Sequence, residues 1–183
     1  MAFDLQPTLR GPLVTLRPLE AGDFAALYAV AADPLIWEQH PDPNRYQEET
    51  FRTFFRDAMA SGGALLAIDT LDGKVIGSSR YHDYDAEKRE IEIGWTFLAR
   101  SHWGGAHNGE MKRLMLDHAF RFVDTVLFLI GPGNIRSQRA VLKIGATRVG
   151  ARPDASGRPS LVFAITAAAF ARQTATDTGR IGP

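Results

Sequence analysis

Between residues 13 and 166 the apolar positions switch between a period near two and a period near 3.6, and each switch marks a new element. Residues 13–16, with β-branched Val14 and Thr15, read as a short strand closed by Pro18. Residues 22–31 place Phe24, Leu27, Tyr28 and Ala31 at i, i+3, i+4 and i+7, a helix that Asp33-Pro34 stops. Pro34 suits the first position of a further short helical turn, and residues 40–45 read as loop. Residues 47–59 predict a second helix with Phe51, Phe54, Phe55 and Met59 on one face, ended by Gly62-Gly63. Residues 64–68 and 74–81 flank the turn signal Asp72-Gly73 and form a hairpin, followed by a polar loop over 82–88. Residues 89–98 alternate, with Ile91, Ile93 and Trp95 on one side and Glu90, Glu92 and Gly94 on the other. That is a half-buried strand whose second face meets something polar.

A glycine-bearing loop over 101–110 leads into a helix with Met111, Leu114, Met115, Ala119 and Phe122 on one face. Residues 125–130 are continuously apolar, the mark of a strand covered on both sides. After Gly131-Pro-Gly, Asn134 caps a short helix reaching Ile144, and Gly145 takes the left-handed position beyond its end. Residues 147–151 and 161–166 make a closing pair of strands around the turn-rich 153–159. The order describes a mixed α+β sheet rather than an alternating parallel one. No repeat at solenoid spacing is visible. One domain over residues 1–172 and a flexible tail over 173–183 are expected.

Composition narrows the function. With 183 residues, 45% hydrophobic and 23% charged, the chain is long enough to fold on its own core. Net charge is zero, which disfavours nucleic acid as a partner. The absence of cysteine excludes disulfides, thiolate metal sites and cysteine nucleophiles, and fits a reducing cytoplasm. Neither a signal peptide nor a membrane-spanning run is visible, so a cytoplasmic protein without a membrane partner is expected. The histidines at 40, 82, 102, 107 and 118 show no metal-ligand spacing, so no metal is expected. Nothing in the pattern distinguishes a monomer from a homodimer.

A strand, a glycine loop and a helix start together make an anion site, because the first amides of a helix lack intrahelical partners and carry the positive end of its dipole. Gly104, Gly105 and Ala106 leave room for a phosphate to approach the backbone. The Gly-Lys-Ser/Thr ending of a nucleotide triphosphate loop is missing, which disfavours ATP or GTP hydrolysis. The plain alternative is a tight turn that needs small residues.

Trp103-Gly-Gly-Ala-His-Asn-Gly-Glu-Met-Lys112 resembles the acyl-coenzyme A loop of the GNAT superfamily of N-acetyltransferases. Asn134-Ile-Arg-Ser137 followed by Lys143-Ile-Gly145 resembles the N-x-x-S…K-x-G segment of its RimJ/RimL branch, which includes acetyltransferases of ribosomal-protein N-termini. Leu13-Val-Thr-Leu-Arg-Pro-Leu19 and Ile91-Glu-Ile-Gly-Trp95 match that branch in kind and order. The resemblance implies a single-domain GNAT-like α+β fold, a central mixed, mostly antiparallel sheet of about seven strands flanked by about four helices. It implies acetyl-CoA as cosubstrate and a primary amine, of a small molecule or a protein N-terminus, as acceptor. The amides of Trp103, Gly104, Gly105, Ala106, His107 and Asn108 would hold the coenzyme diphosphate. The edge formed by Trp95, Thr96, Phe97 and Leu98 would pair with the pantetheine arm, as a peptide adds to a sheet. Asn134 would bond that arm and Ser137 would sit near the thioester sulfur. The family's leading Gln or Arg is Ser101 here, and its frequent threonine is Gly109.

Within that frame Glu92 is the candidate general base, with Glu90 and water as competitors. Ser137 is either a general acid or a first-turn helix serine bonding backbone. His107 is either a ligand contact or a surface residue. Trp37, His40, Tyr46, Arg80 and His82 are candidate acceptor-groove residues. Two other readings stay open: a non-catalytic acyl-CoA binder on the same fold, and a nucleotide-binding module of another fold.

Overall fold

The computed structural model describes residues 3–178. Leu9–Arg10 (β1) and Val14–Pro18 (β2) open the sheet. A single 3-10 turn and the helix Phe24–Ala31 (α1) follow, then a second 3-10 turn, Pro34–Ile36, capped by the Asp33 side chain. The helix Glu48–Ala60 (α2) buries Phe51, Phe54, Phe55 and Ala58. Met59, expected on that face, stays exposed. Ala64–Asp69 (β3) and Val75–Asp85 (β4) form the expected hairpin, with Gly73 at φ 71°. Glu90–Leu98 (β5) leads to the helix Ala106–Ala119 (α3), then Thr125–Ile130 (β6), Ile135–Lys143 (α4), Thr147–Pro153 (β7), Pro159–Thr166 (β8) and Ala167–Thr178 (α5).

The eight strands form one sheet in the order β1-β2-β3-β4-β5-β6-β8-β7. Every neighbouring pair is antiparallel except β5 and β6. Alternation along β3 sorts the two cores: Leu65 and Ala67 face α3, whereas Ala64 and Leu66 face α1 and α2.

Several expectations change. Among the described residues the strands number eight and the helices five, one more of each than expected, because the two-residue β1 and α5 carry little periodic signal. β4 continues through the expected loop to Asp85, since β5 offers it a pairing partner at Glu90. α5 runs past residue 172 to Thr178, so a helix occupies the start of the expected tail, while residues 179–183 lie outside the described ones. α3 begins at Ala106, which makes residues 106–110 helix rather than loop. β6 is buried only at alternate positions, because its other face borders an open cleft.

Candidate active site

The cleft arises where two parallel strands part. β5 pairs with β6 only at Glu90, Ile91 and Glu92, opposite Thr125, Val126 and Leu127. From Ile93 onward the two strands diverge. On its other edge β5 stays paired with β4, but with an irregularity: Arg80 faces Gly94 and Ser78 faces Phe97, so Trp95 and Thr96 share one partner, Ser79. This is a β-bulge, and Trp95 accommodates it at φ 51°. The bulge breaks the expected alternation. Trp95 turns to the same side as Glu92 and packs on Arg80 and His82, while Thr96 turns to α3.

The opening has a volume of about 1290 Å³, beyond the roughly 300–1,000 Å³ of ordinary ligand pockets and roomy enough for two reactants. Of the expected residues, Glu92, Trp95, Thr96, Phe97, Leu98, Trp103, Gly104, Gly105, Asn108, Asn134 and Ser137 line it, as do Trp37, His40, Arg80 and His82. Tyr46 does not. Tyr46 packs beside the α1–α2 core and its carbonyl accepts from the Tyr28 hydroxyl.

At the far end of β5 the N-terminus of α3 faces the cleft. Gly105 is its extended N-cap and no side chain caps it, so the first amides are unsatisfied. Gly104 sits at φ 72° with nothing within 4 Å of where a Cβ would be. A left-handed glycine and an extended one ahead of uncapped amides fit a diphosphate, and acetyl-CoA carries one. His107 contributes only backbone: its ring Nε2 lies 3.3 Å from Asp69, and His102 Nε2 lies 3.0 Å from the same oxygen. The spacing of the histidines gave no sign of this cluster, because Asp69 comes from β3. The Asp69 carboxyl is held below the usual range, first by the Leu71 amide and then by His102. Both histidines thereby tie the start of α3 to the sheet. Glu110 does the same on the next turn, accepting from the amides of Leu13 and Val14 at 2.7 Å each.

Asn134 caps α4, its Oδ1 accepting from the Ser137 amide at 3.1 Å. The Ser137 hydroxyl itself makes no hydrogen bond among the described residues. The Leu98 carbonyl is already taken by the Trp103 indole at 2.9 Å. Arg136 spans the cleft mouth: its Cζ lies 4.0 Å from the Trp103 ring centre and its backbone amide donates to Gln39 Oε1.

Two ionisable groups flank the bulge. Glu92 is 8% exposed, and burial pushes its carboxyl up to about 7, with Arg152 opposing. Its carboxylate lies over Gly94, where a Cβ would come within 3.1 Å of Oε1. On the opposite face, burial pushes the Lys112 ammonium down to about 7. Lys112 donates to Thr96 Oγ1 at 2.6 Å, and Thr96 Oγ1 lies 2.8 Å from Ser79 Oγ. Neither Lys112 nor Arg45, another buried cation of the cleft, was foreseen. Lys112 directly follows Met111 on a helix buried around more than one stripe, and Arg45 lies in a segment with no period at all.

The family model for the acetyltransferase (GNAT) domain matches residues 14–147. Among solved structures, a GCN5-related N-acetyltransferase from Brucella melitensis superposes with a TM-score of 0.80 at 19% identity, over 97% of this chain and 86% of that one. Mycobacterium smegmatis RimJ in complex with CoA-disulfide gives a TM-score of 0.68 at 24% identity, over 93% of each chain. An acetyltransferase (GNAT family) from Bacillus anthracis gives 0.72 at 20% identity, over 87% and 98%. These likenesses are of fold, and they set aside a nucleotide-binding module of another architecture. Among the described residues no helix is long and apolar enough to cross a membrane. The chain belongs to the GNAT acetyltransferases, enzymes that move an acetyl group from acetyl-CoA to an amine.

Proposed function

We propose that the enzyme acetylates a primary amine by direct attack within a ternary complex, with Glu92 as the base. The observation that carries this reading is the parting of β5 and β6 after Glu92, which leaves the β5 backbone unpaired on one side between the buried carboxylate and the α3 amides. Acetyl-CoA supplies the activated acyl thioester. The unsatisfied amides of α3 receive its diphosphate, and the free edge around Trp95, Thr96 and Phe97 offers backbone groups to the pantetheine arm. RimJ, of the same fold, was solved with a coenzyme A derivative, which supports the same use of the fold here. Asn134 keeps its amide nitrogen for the arm, since Oδ1 serves the helix cap.

Glu92 needs no further activation. A carboxyl titrating at about 7 is half ionised at neutral pH, the matched condition for taking a proton from an ammonium or attacking amine. Glu90, at the rim of β5, is less buried. The unbonded Ser137 hydroxyl is free to donate toward a departing thiolate on this reading. Catalysis rests mainly on holding amine and thioester together in the wedge between β5 and β6.

The test is thiol release from acetyl-CoA over a panel of amines, with a coenzyme A thermal shift alongside. Wild type turns over at least one amine, and coenzyme A raises Tm. Ser137→Ala lowers kcat about tenfold or less, because a thiolate needs little help to leave. A panel without turnover refutes the reading. Full rates in both Glu92→Gln and Ser137→Ala refute the residue assignment alone.

A further inference from the structure

Arg80 is a buried cation without an anion beside it. It projects from β4 on the α2 side of the sheet and is 5% exposed. Its Cζ lies 4.6 Å from the Trp95 ring centre and 5.7 Å from that of Phe54. Its Nε has no hydrogen-bond partner, and among the described residues no group hydrogen-bonds the guanidinium and no carboxylate lies within 4.0 Å of it. Asp57 and Glu92 attract it from farther away. Arg45 reaches the same place from the loop before α2. Its Cζ lies 4.6 Å from Phe54 and its Nε is also unpartnered, while its other nitrogens meet His40 at 3.3 Å and Asp42 at 3.5 Å.

Two guanidiniums thus share one phenyl ring inside the cleft. Aromatic contact satisfies the flat face of a guanidinium and leaves the in-plane N–H edge, the edge that grips carboxylate or phosphate as a fork. Leaving the buried Nε of that edge unpaired is costly unless a ligand fills it. The location matters as much as the chemistry. Arg80 faces Gly94 across the strands, and the Glu92 carboxylate lies over Gly94. Base and cation are therefore diagonal neighbours on one face, about 7 Å apart in backbone terms. The diphosphate site at α3 lies beyond the other end of β5, past Leu98.

We infer that Arg80, backed by Arg45, receives an oxyanion carried by the acceptor, so that the substrate is a small amine bearing a carboxylate or phosphate a few bonds from its nitrogen. This rests on reading the Glu92 face as the acceptor side. A neutral amine would leave Arg80 unpaired and be rejected on that account.

Matched acceptors test it: amino acids against their carboxamides, and phosphoethanolamine against ethanolamine, assayed by thiol release. The carboxylate and phosphate arms tell the two anions apart. Wild type favours the anionic member of at least one pair by about tenfold or more in kcat/KM. Arg80→Met brings that ratio near one, keeps the coenzyme A thermal shift, and melts no lower than wild type, since it removes a buried charge that has no ion-pair or hydrogen-bond partner and leaves an apolar side chain on the Trp95 and Phe54 rings. Arg80→Lys retains charge without the fork, gives an intermediate ratio, and serves if the Met variant misfolds. If nothing in the panel turns over, inorganic phosphate added to the coenzyme A-saturated protein decides. A change in tryptophan emission that Arg80→Met abolishes upholds the anion site even as the proposed transfer fails. Equal rates within every pair, or a ratio untouched by Arg80→Met, overturn the inference and leave acetyl transfer standing. Without turnover, an absent phosphate response overturns it.

Discussion

Glu92 and Lys112 lie on opposite faces of the same sheet, beside the same bulge, and burial brings both to about 7 from opposite directions. Their surroundings differ. Lys112 meets one hydroxyl, Thr96, and the ring of Phe128 at 5.3 Å. No charged neighbour contributes to its shift. Glu92 has no hydrogen-bond partner among the described residues, yet Arg152, Asp83, Asp154 and Arg80 all act on it. A similar pKa therefore carries different meaning on the two faces. A base must pass its proton onward, which the polar α2 side permits. Lys112, buried on the α3 side of the cleft, commits its donor bond to Thr96 and with it holds the bulge. On the proposed reading, Glu92 transfers the proton and Lys112 supports the bulge.

The largest effect expected from this contrast is on Glu92→Gln. Losing a general base costs about 10²–10⁴-fold in rate, and kcat should lose its rise through pH 7. Stability should move the other way. The folded pKa of Glu92 lies above its ordinary value of 4.5, so the stability tied to its protonated form is complete below about pH 4.5 and is lost as pH rises through about 7. Glutamine avoids that loss. By about pH 8 the variant should exceed wild type by on the order of 3 kcal/mol, and near pH 4 by nothing, in denaturant titrations at the two pH values. A slow variant that is also less stable at pH 8 would make Glu92 structural.

The contrast was only half legible in the sequence. The alternation Ile91-Glu92-Ile93 placed Glu92 on a polar face, because a period of two survives there. It failed at Trp95, where the bulge inverts the side, and no local pattern announces a positive φ at a tryptophan. The glycine loop was legible as an anion site, but its boundary was not: His107, Asn108 and Gly109 are weak helix formers, and tertiary ties from Asp69 and Glu110 hold the first turn of α3 in place. Lys112 and Arg45 were invisible for a different reason. A lysine or arginine is ordinarily read as solvated, and burial of one depends on which distant segments enclose it.

The second effect concerns Lys112→Met, read as stability. The folded pKa of Lys112 lies below its ordinary 10.5, so the wild type pays for discharging the lysine as pH falls from about 10.5 to about 7, and by a constant amount below that. Methionine fills similar volume without the charge. It should stabilise the fold by on the order of 5 kcal/mol at pH 6, with the gain shrinking toward pH 10. The thiol-release rate tests the supporting role: a freed Thr96 should lower kcat with the pH midpoint of the rate unchanged. A shifted midpoint would mean that Lys112, not Glu92, is the group the rate reports.

The smallest effect sharpens the comparison most directly. Gly94 lies between the two faces, and an alanine there would place Cβ 3.1 Å from Glu92 Oε1 and meet nothing on the α3 side. The backbone of Gly94 is not in the left-handed region, so strain does not enter. The flexible carboxylate can yield by a few tenths of an ångström, which leaves stability within about 0.5 kcal/mol of wild type. The displacement nonetheless moves the base relative to the amine, and misplacement of a reacting group is amplified in rate. Gly94→Ala should lower kcat several-fold at an unchanged coenzyme A Kd, and it should leave the pH dependence of stability contributed by Lys112 intact. Because this substitution touches one face only, an unaltered kcat would separate Glu92 from the chemistry even if Glu92→Gln had proved slow.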